Sequence, residues 1–73
     1  MIDTKKIANN LKRLRSENNL TQSDVAERLF VSRQAVSAWE MGLTLPTIES
    51  CIMLMEIYDV DLDELLCLKK EAI

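Results

Sequence analysis

Histidine is absent from this chain of 73 residues, and glycine, proline, tryptophan, tyrosine and phenylalanine occur once each. Without histidine there is no side chain that titrates near neutrality unaided, and the commonest metal ligand is missing. The two cysteines, Cys51 and Cys67, form no C-x-x-C pair, so a zinc site has no ligand set to start from. Both fall in apolar, helix-patterned segments with no base beside them, which predicts buried thiols in a reducing compartment. Asp59, Asp61, Asp63 and Glu64 cluster, but without the glycine-bearing spacing of a calcium loop, and they read as helix-start chemistry. No metal, cofactor or catalytic activity is expected. Long apolar runs are lacking too. CIMLM, residues 51–55, is far too short to span a bilayer, and MIDTKKIANN has no apolar stretch of the kind a signal peptide needs. The expectation is a cytoplasmic chain with no membrane partner.

Apolar residues make up 48% and charged residues 29%, an ordinary globular composition. Scarce glycine and proline and the lack of β-branched runs suit helices joined by short turns, so the fold class expected is all-α. The length fits one small domain over residues 1–73, with a core so limited that every apolar stripe should serve packing or a partner. The formal net charge of −3 is unevenly divided. Residues 1–40 carry seven Lys/Arg against five acids, and residues 41–73 two against seven. Such asymmetry hints at polarised surfaces.

Helical spacing of apolar residues predicts five helices, over about 4–18, 21–29, 32–40, 47–58 and 62–70. In the first, Ile7, Ala8, Leu11 and Leu14 point inward and Lys5, Lys12, Arg13 and Arg15 outward. Asp3 or Thr4 caps its start, and Asn18-Asn19 ends it. Thr21 followed by Asp24 is a capping-box variant, with Val25, Ala26 and Leu29 as the inward stripe and Leu20 stapling against Val25. Ser32 caps a third helix of about two turns, with Val36 and Trp39 inward and Gly42 as its stop. Thr47 caps a fourth, in which Ile48, Cys51, Ile52, Met55 and Tyr58 share one wide stripe and Leu54 lies at its border. Leu62, Leu65 and Leu66 face inward in the fifth.

Helices two and three are about three residues apart, the connection length of a helix-turn-helix. Val25, Ala26, Val31, Val36 and Trp39 sit where two steeply crossed helices need apolar or small residues. Here the chain resembles the helix-turn-helix domains of the Cro/repressor, or xenobiotic-response-element, type, five-helix folds of phage and bacterial regulators. The resemblance covers residues 5–68 and rests on IANNLKRLRSENNLTQSDVAERL, VSRQAVSAWE, MGLTLPTIESCIMLMEIY and VDLDELL. It implies sequence-specific binding to double-stranded DNA, usually as a homodimer and usually to regulate transcription, most simply as a repressor. The third helix would lie in the major groove.

Carried over residue by residue, the resemblance makes Ser32, Arg33, Gln34, Ser37 and Ala38 the reading face and Gln22 a phosphate ligand. The chemistry of the side chains agrees. Arg33 has the fork for guanine O6 and N7, Gln34 the amide for adenine N6 and N7, and Ala38 only a methyl for thymine. Ser32 can cap the helix and touch a phosphate. Arg13 is a further phosphate candidate, as is Thr44 in the loop after helix three. Met53, off the inward stripe, with Leu68 and Ile73, is the candidate dimer contact. Two departures from the family pattern stand out. Phe30 replaces the usual turn glycine, so that either a positive φ is kept at a cost of about 1 kcal/mol or more, or the turn is remodelled with the ring over the junction. Ala38 replaces a common lysine and removes one cationic contact. The alternative reading is a protein-interaction module or antitoxin on the same fold. No small-molecule ligand is expected, since no effector domain fits in the remaining length.

Overall fold

The computed structural model describes residues 3–68. Within them the chain forms five helices and no strand: α1 (Thr4–Glu17), α2 (Gln22–Leu29), α3 (Arg33–Glu40), α4 (Ile48–Tyr58) and α5 (Leu62–Leu65). Each begins on a side-chain cap. Asp3, Thr21, Ser32, Thr47 and Asp61 each stand in extended backbone and accept a hydrogen bond from an N–H of the first turn, satisfying donors that have no partner inside the helix. At Thr21 the box is reciprocal. Its Oγ1 accepts from the Asp24 N–H at 3.0 Å, and Asp24 Oδ2 accepts from the Thr21 N–H at 2.8 Å. Hydrogen bonding to the carboxylate, first from the Thr21 backbone N–H and then from the Thr21 side chain, holds the Asp24 carboxyl below the usual carboxylate range.

The five helices also end alike. Asn19, Phe30, Gly42, Asp59 and Cys67 all adopt positive φ. In each case the next residue's N–H reaches back to a carbonyl five residues earlier: Leu20 to Arg15, Val31 to Ala26, Leu43 to Ala38, Val60 to Met55 and Leu68 to Asp63, all between 2.9 and 3.2 Å. This is the left-handed helix stop that glycine normally serves. The chain supplies glycine at one of the five. Phe30 keeps φ at +57° and its ring is 90% exposed, so the turn is not remodelled and the ring does not cover the α2/α3 junction.

Ile7, Leu11, Leu14, Val25, Leu29, Val36, Trp39, Cys51, Leu54, Tyr58 and Leu65 form one buried cluster, with Leu20 and Val31 half-buried against it. α3 packs between α1 and α2. Asn10 of α1 donates to the carbonyls of Glu64 and Leu65 at 2.8 and 3.0 Å, which ties α1 to the end of α5.

Four expectations fail here. α4 is rotated: Leu54, expected at the border, is buried, whereas Ile48 and Ile52 are 81% and 53% exposed. Eight of its eleven residues are apolar, so periodicity could not choose a face. α5 ends at Leu65 rather than residue 70, because Leu66 and the left-handed Cys67 turn the chain and Asn10 takes the freed carbonyls; residues 69–73 lie outside the described part. Leu62 is exposed rather than inward, and Cys67 is exposed rather than buried. Leu45, Ile48, Ile52 and Leu62 thereby line one side of an apolar groove of about 420 Å³, floored by Ile7, Cys51, Met55 and Leu66.

Replacing Phe30 with glycine should raise stability by about 1 kcal/mol, and Gly42→Ala should lower it by a similar amount. At Gly42 an added Cβ meets nothing closer than 3.6 Å, so the left-handed backbone alone sets the cost. Urea unfolding of the two variants checks both signs. Burial, reinforced by the nearby Glu40 carboxylate, pushes the Tyr58 phenol up to about 12. The phenol ionises near 10 in the unfolded chain, so its contribution is whole below pH ~10 and disappears as pH rises toward 12. Tyr58→Phe should flatten the alkaline limb of a stability–pH curve.

Candidate nucleic-acid interface

The two faces of α3 separate cleanly. Val36 and Trp39 are buried, while Ser32, Arg33 and Gln34 are exposed and Ser37 and Ala38 half-buried. Ser32 is held by its capping role, with Oγ accepting from the Ala35 N–H at 3.1 Å. The Ser37 hydroxyl donates to the Met41 thioether at 3.6 Å, a weak bond that leaves it available. Thr44 is exposed in the loop that follows.

Behind this face lies a charged relay. Arg15 Nε donates to Glu40 Oε2 at 2.7 Å and Arg15 Nη2 to Glu40 Oε1 at 3.0 Å, with side chains only 15% and 5% exposed. The third arm of the guanidinium, Nη1, donates to the Leu20 carbonyl at 2.9 Å. Gln22 Nε2 donates to Glu40 Oε1 at 3.1 Å, and Gln22 Oε1 accepts from Arg33 Nη1 at 3.4 Å. One buried carboxylate therefore links α1, the start of α2, the end of α3 and, through Gln22, the first residue of α3. The hydrogen bond to Glu40 is the main reason the Arg15 pKa rises above its ordinary value. Arg33 forms no ion pair among the described residues, so its charge stays uncompensated at the exposed end of α3.

Gln22 and Arg33 are thus brought together from different helices, beside Ser32 and Gln34. Arg13 is not with them. Its Nη1 meets both Glu17 carboxylate oxygens at 3.0 Å and its Nη2 donates to Asn10 Oδ1 at 2.6 Å. It lines an open polar crevice with Lys6, Asn9, Asp61, Asp63 and Glu64, on the α5 side of α1. Met53 is half-buried against the core, Leu68 is 39% exposed, and Ile73 lies outside the described residues.

Sequence reasoning missed Arg15 and Glu40, reading the first as an outward cation and the second as a helix end. The signal was present: Arg15 follows the inward Leu11 by four residues, and Glu40 follows Val36 by four, so each sits on its helix's core-facing side.

Two packed helices joined by a short turn, the second with an exposed polar face and a buried apolar one, within an all-helical five-element frame, define a helix-turn-helix domain of the Cro/C1 type. The chain belongs to the helix-turn-helix family, whose model matches residues 11–65. It is 46% identical over 56 residues to the HTH-type transcriptional activator BcrR of Enterococcus faecalis, which covers 77% of this chain and 28% of BcrR. It is 40% identical over 57 residues to the uncharacterised HTH-type transcriptional regulator YqaE of Bacillus subtilis, covering 78% of this chain and 49% of that protein. The chain thus spans between a quarter and a half of these curated relatives. A crystal structure of a transcriptional regulator from Listeria innocua superposes with a TM-score of 0.83 at 34% identity, over 92% of this chain and 63% of that one. Among the described residues no helix is long and apolar enough to cross a membrane.

Glu40→Gln leaves a buried guanidinium without its counter-charge and should destabilise the fold by about 3 kcal/mol, most of what so small a domain has. Replacing both partners with apolar residues, Arg15→Met with Glu40→Leu, should recover the greater part of that loss. Denaturant titrations of the single and double variants give the comparison.

Proposed function

We propose that the chain binds double-stranded DNA with α3 in the major groove and regulates transcription from the site it occupies. Arg33 and Gln34 read base edges at the entering end of α3, with Ser37 and Ala38 one turn further along. Gln22, Ser32 and Thr44 contact flanking phosphates. The observation that carries this reading is the relay from the buried Arg15–Glu40 pair through Gln22 to Arg33, which holds a neutral amide and an unneutralised cation at the exposed starts of α2 and α3. Those are the ends whose free N–H groups and dipoles favour phosphate. Arg13, occupied by Glu17, contributes to the long-range field rather than to a direct contact.

One domain presents only a few base-reading side chains, and two copies on half-sites about one helical turn apart double them. We place the contact between copies on the apolar groove lined by Leu45, Ile48, Ile52 and Leu62. It offers more exposed apolar surface than Met53 and Leu68, and none of its residues belongs to α2 or α3, so both surfaces act at once. A two-fold contact needs a self-complementary patch, which an apolar face supplies. A dimer seated on a promoter excludes polymerase, so repression is the simplest outcome; a reporter fused to the selected site decides its sign.

Selection of bound duplexes from a random pool supplies the site. Affinity for it should fall with salt at a log–log slope of about −0.9 per phosphate contacted. Arg33→Ala should relax the preference at one base pair at a cost of ~1–3 kcal/mol, whereas Gln22→Ala should weaken all sequences alike. Absence of duplex binding by the unaltered chain at low salt sinks the proposal. Ile52→Glu should yield a folded monomer by sedimentation, with affinity for the two-half-site duplex reduced; an unchanged dimer would move the contact elsewhere.

A further inference from the structure

Phe30 is the most exposed of the large apolar residues, and neither the core nor the reading face described above uses its ring. Its backbone is left-handed at φ +57° and its ring is 90% exposed. On both counts phenylalanine is the poorer choice for folding. Glycine would relieve the conformational strain, and an exposed ring recovers none of it by burial. The backbone is also pinned. Its N–H donates to the Glu27 carbonyl at 3.4 Å, and the N–H of Val31 donates to the Ala26 carbonyl at 3.0 Å, so the main chain is fixed at the turn while the ring stands in solvent. That apex lies two residues before Ser32, the cap of α3, and three before Arg33, at the end of α3 that enters the groove in the proposed function. Strain kept at an exposed, rigid position beside a binding end is a signature of a contact made only in the complex.

We infer that Phe30 is an additional base-contacting residue, whose ring packs against the 5-methyl group of a thymine in the major groove next to the base pair read by Arg33. The chemistry is specific to that group. The major-groove edges of guanine, cytosine and adenine present donors and acceptors, and thymine alone offers a methyl for an apolar side chain. The ring cannot hydrogen-bond a phosphate, and no other exposed apolar residue stands on the α2–α3 turn. This inference rests on the DNA-binding reading and adds to it a preference at one position.

The test uses the duplex recovered by selection and a set of copies in which each thymine in turn is replaced by deoxyuridine, which lacks only the methyl. The unaltered chain should lose about fourfold in affinity at one or two adjacent positions, the equivalent of one buried methylene, and bind the remaining copies unchanged. Phe30→Gly should bind the parent duplex several-fold more weakly, show no loss at those positions, and be the more stable protein in urea. Phe30→Asn, which tolerates the left-handed backbone without glycine's flexibility, should match it. If Phe30→Gly keeps the same uracil sensitivity, or weakens thymine and uracil duplexes alike, the ring contacts no thymine methyl and the inference falls while DNA binding stands. If the unaltered chain binds no duplex, the DNA-binding reading falls with it.

Discussion

The Arg15–Glu40 pair is the contact on which the geometry of this domain turns. Both side chains are nearly buried, and among the described residues the carboxylate has no other partner of opposite charge. A buried ion pair is seldom a large net source of stability, because desolvation offsets most of the attraction. Its consequence is directional. The planar guanidinium engages Glu40 with two donors and Leu20 with a third, which fixes α3 against α1 and the α1–α2 connection in one orientation. An apolar core alone, as small as this one, would tolerate α3 sliding along its stripe. Gln22 completes the arrangement by sharing the same carboxylate, so hydrogen bonds add to the packing of α2 on α3 in setting the starts of the two helices relative to each other.

The helix ends obey a second constraint. Short helices need defined stops, and each of the five described here stops on a left-handed residue with a backbone hydrogen bond behind it. Asn19 and Asp59 tolerate that conformation comparatively well, Gly42 adopts it freely, and Phe30 and Cys67 do so against their preference. A domain of this size has little stability to spare. The two unfavourable stops therefore mark places where something other than folding selects the residue, or where the neighbouring structure leaves no alternative. For Cys67 the neighbour is evident: the α5 carbonyls just before it are held by Asn10 of α1.

Much of the architecture was legible in the sequence, and the reasons differ from element to element. α1, α2 and α3 alternate apolar and polar residues at strict helical spacing, so their apolar inward faces could be read directly, and the caps at Thr21, Ser32 and Thr47 marked the starts of α2, α3 and α4 to the residue. α4 defeated the same reasoning because it is apolar on nearly every side. Which of Ile48, Ile52 and Leu54 is buried depends on what α4 meets, and that is α2 and α5. α5 was overestimated for a related reason: its apolar pattern continues past Leu65, but the chain turns where α1 reaches its carbonyls. Of the candidate interface, the α3 side chains were readable from their chemistry and position. The relay behind them joins residues as far apart as Arg15 and Glu40, and Arg13 was diverted by its own neighbour Glu17.

Local physical chemistry written in the sequence, capping residues, helical periodicity and the polar first turn of α3, determined the element order and the residues offered at the reading face. The acidic balance of the chain does not oppose that reading, since most of the acids follow residue 40. Tertiary structure alone decided the rotation of α4, the end of α5, the apolar groove between them and the pairing of Arg15 with Glu40. These depend on distances between residues remote in sequence, and periodicity within one helix carries no information about which surface of another helix it will meet.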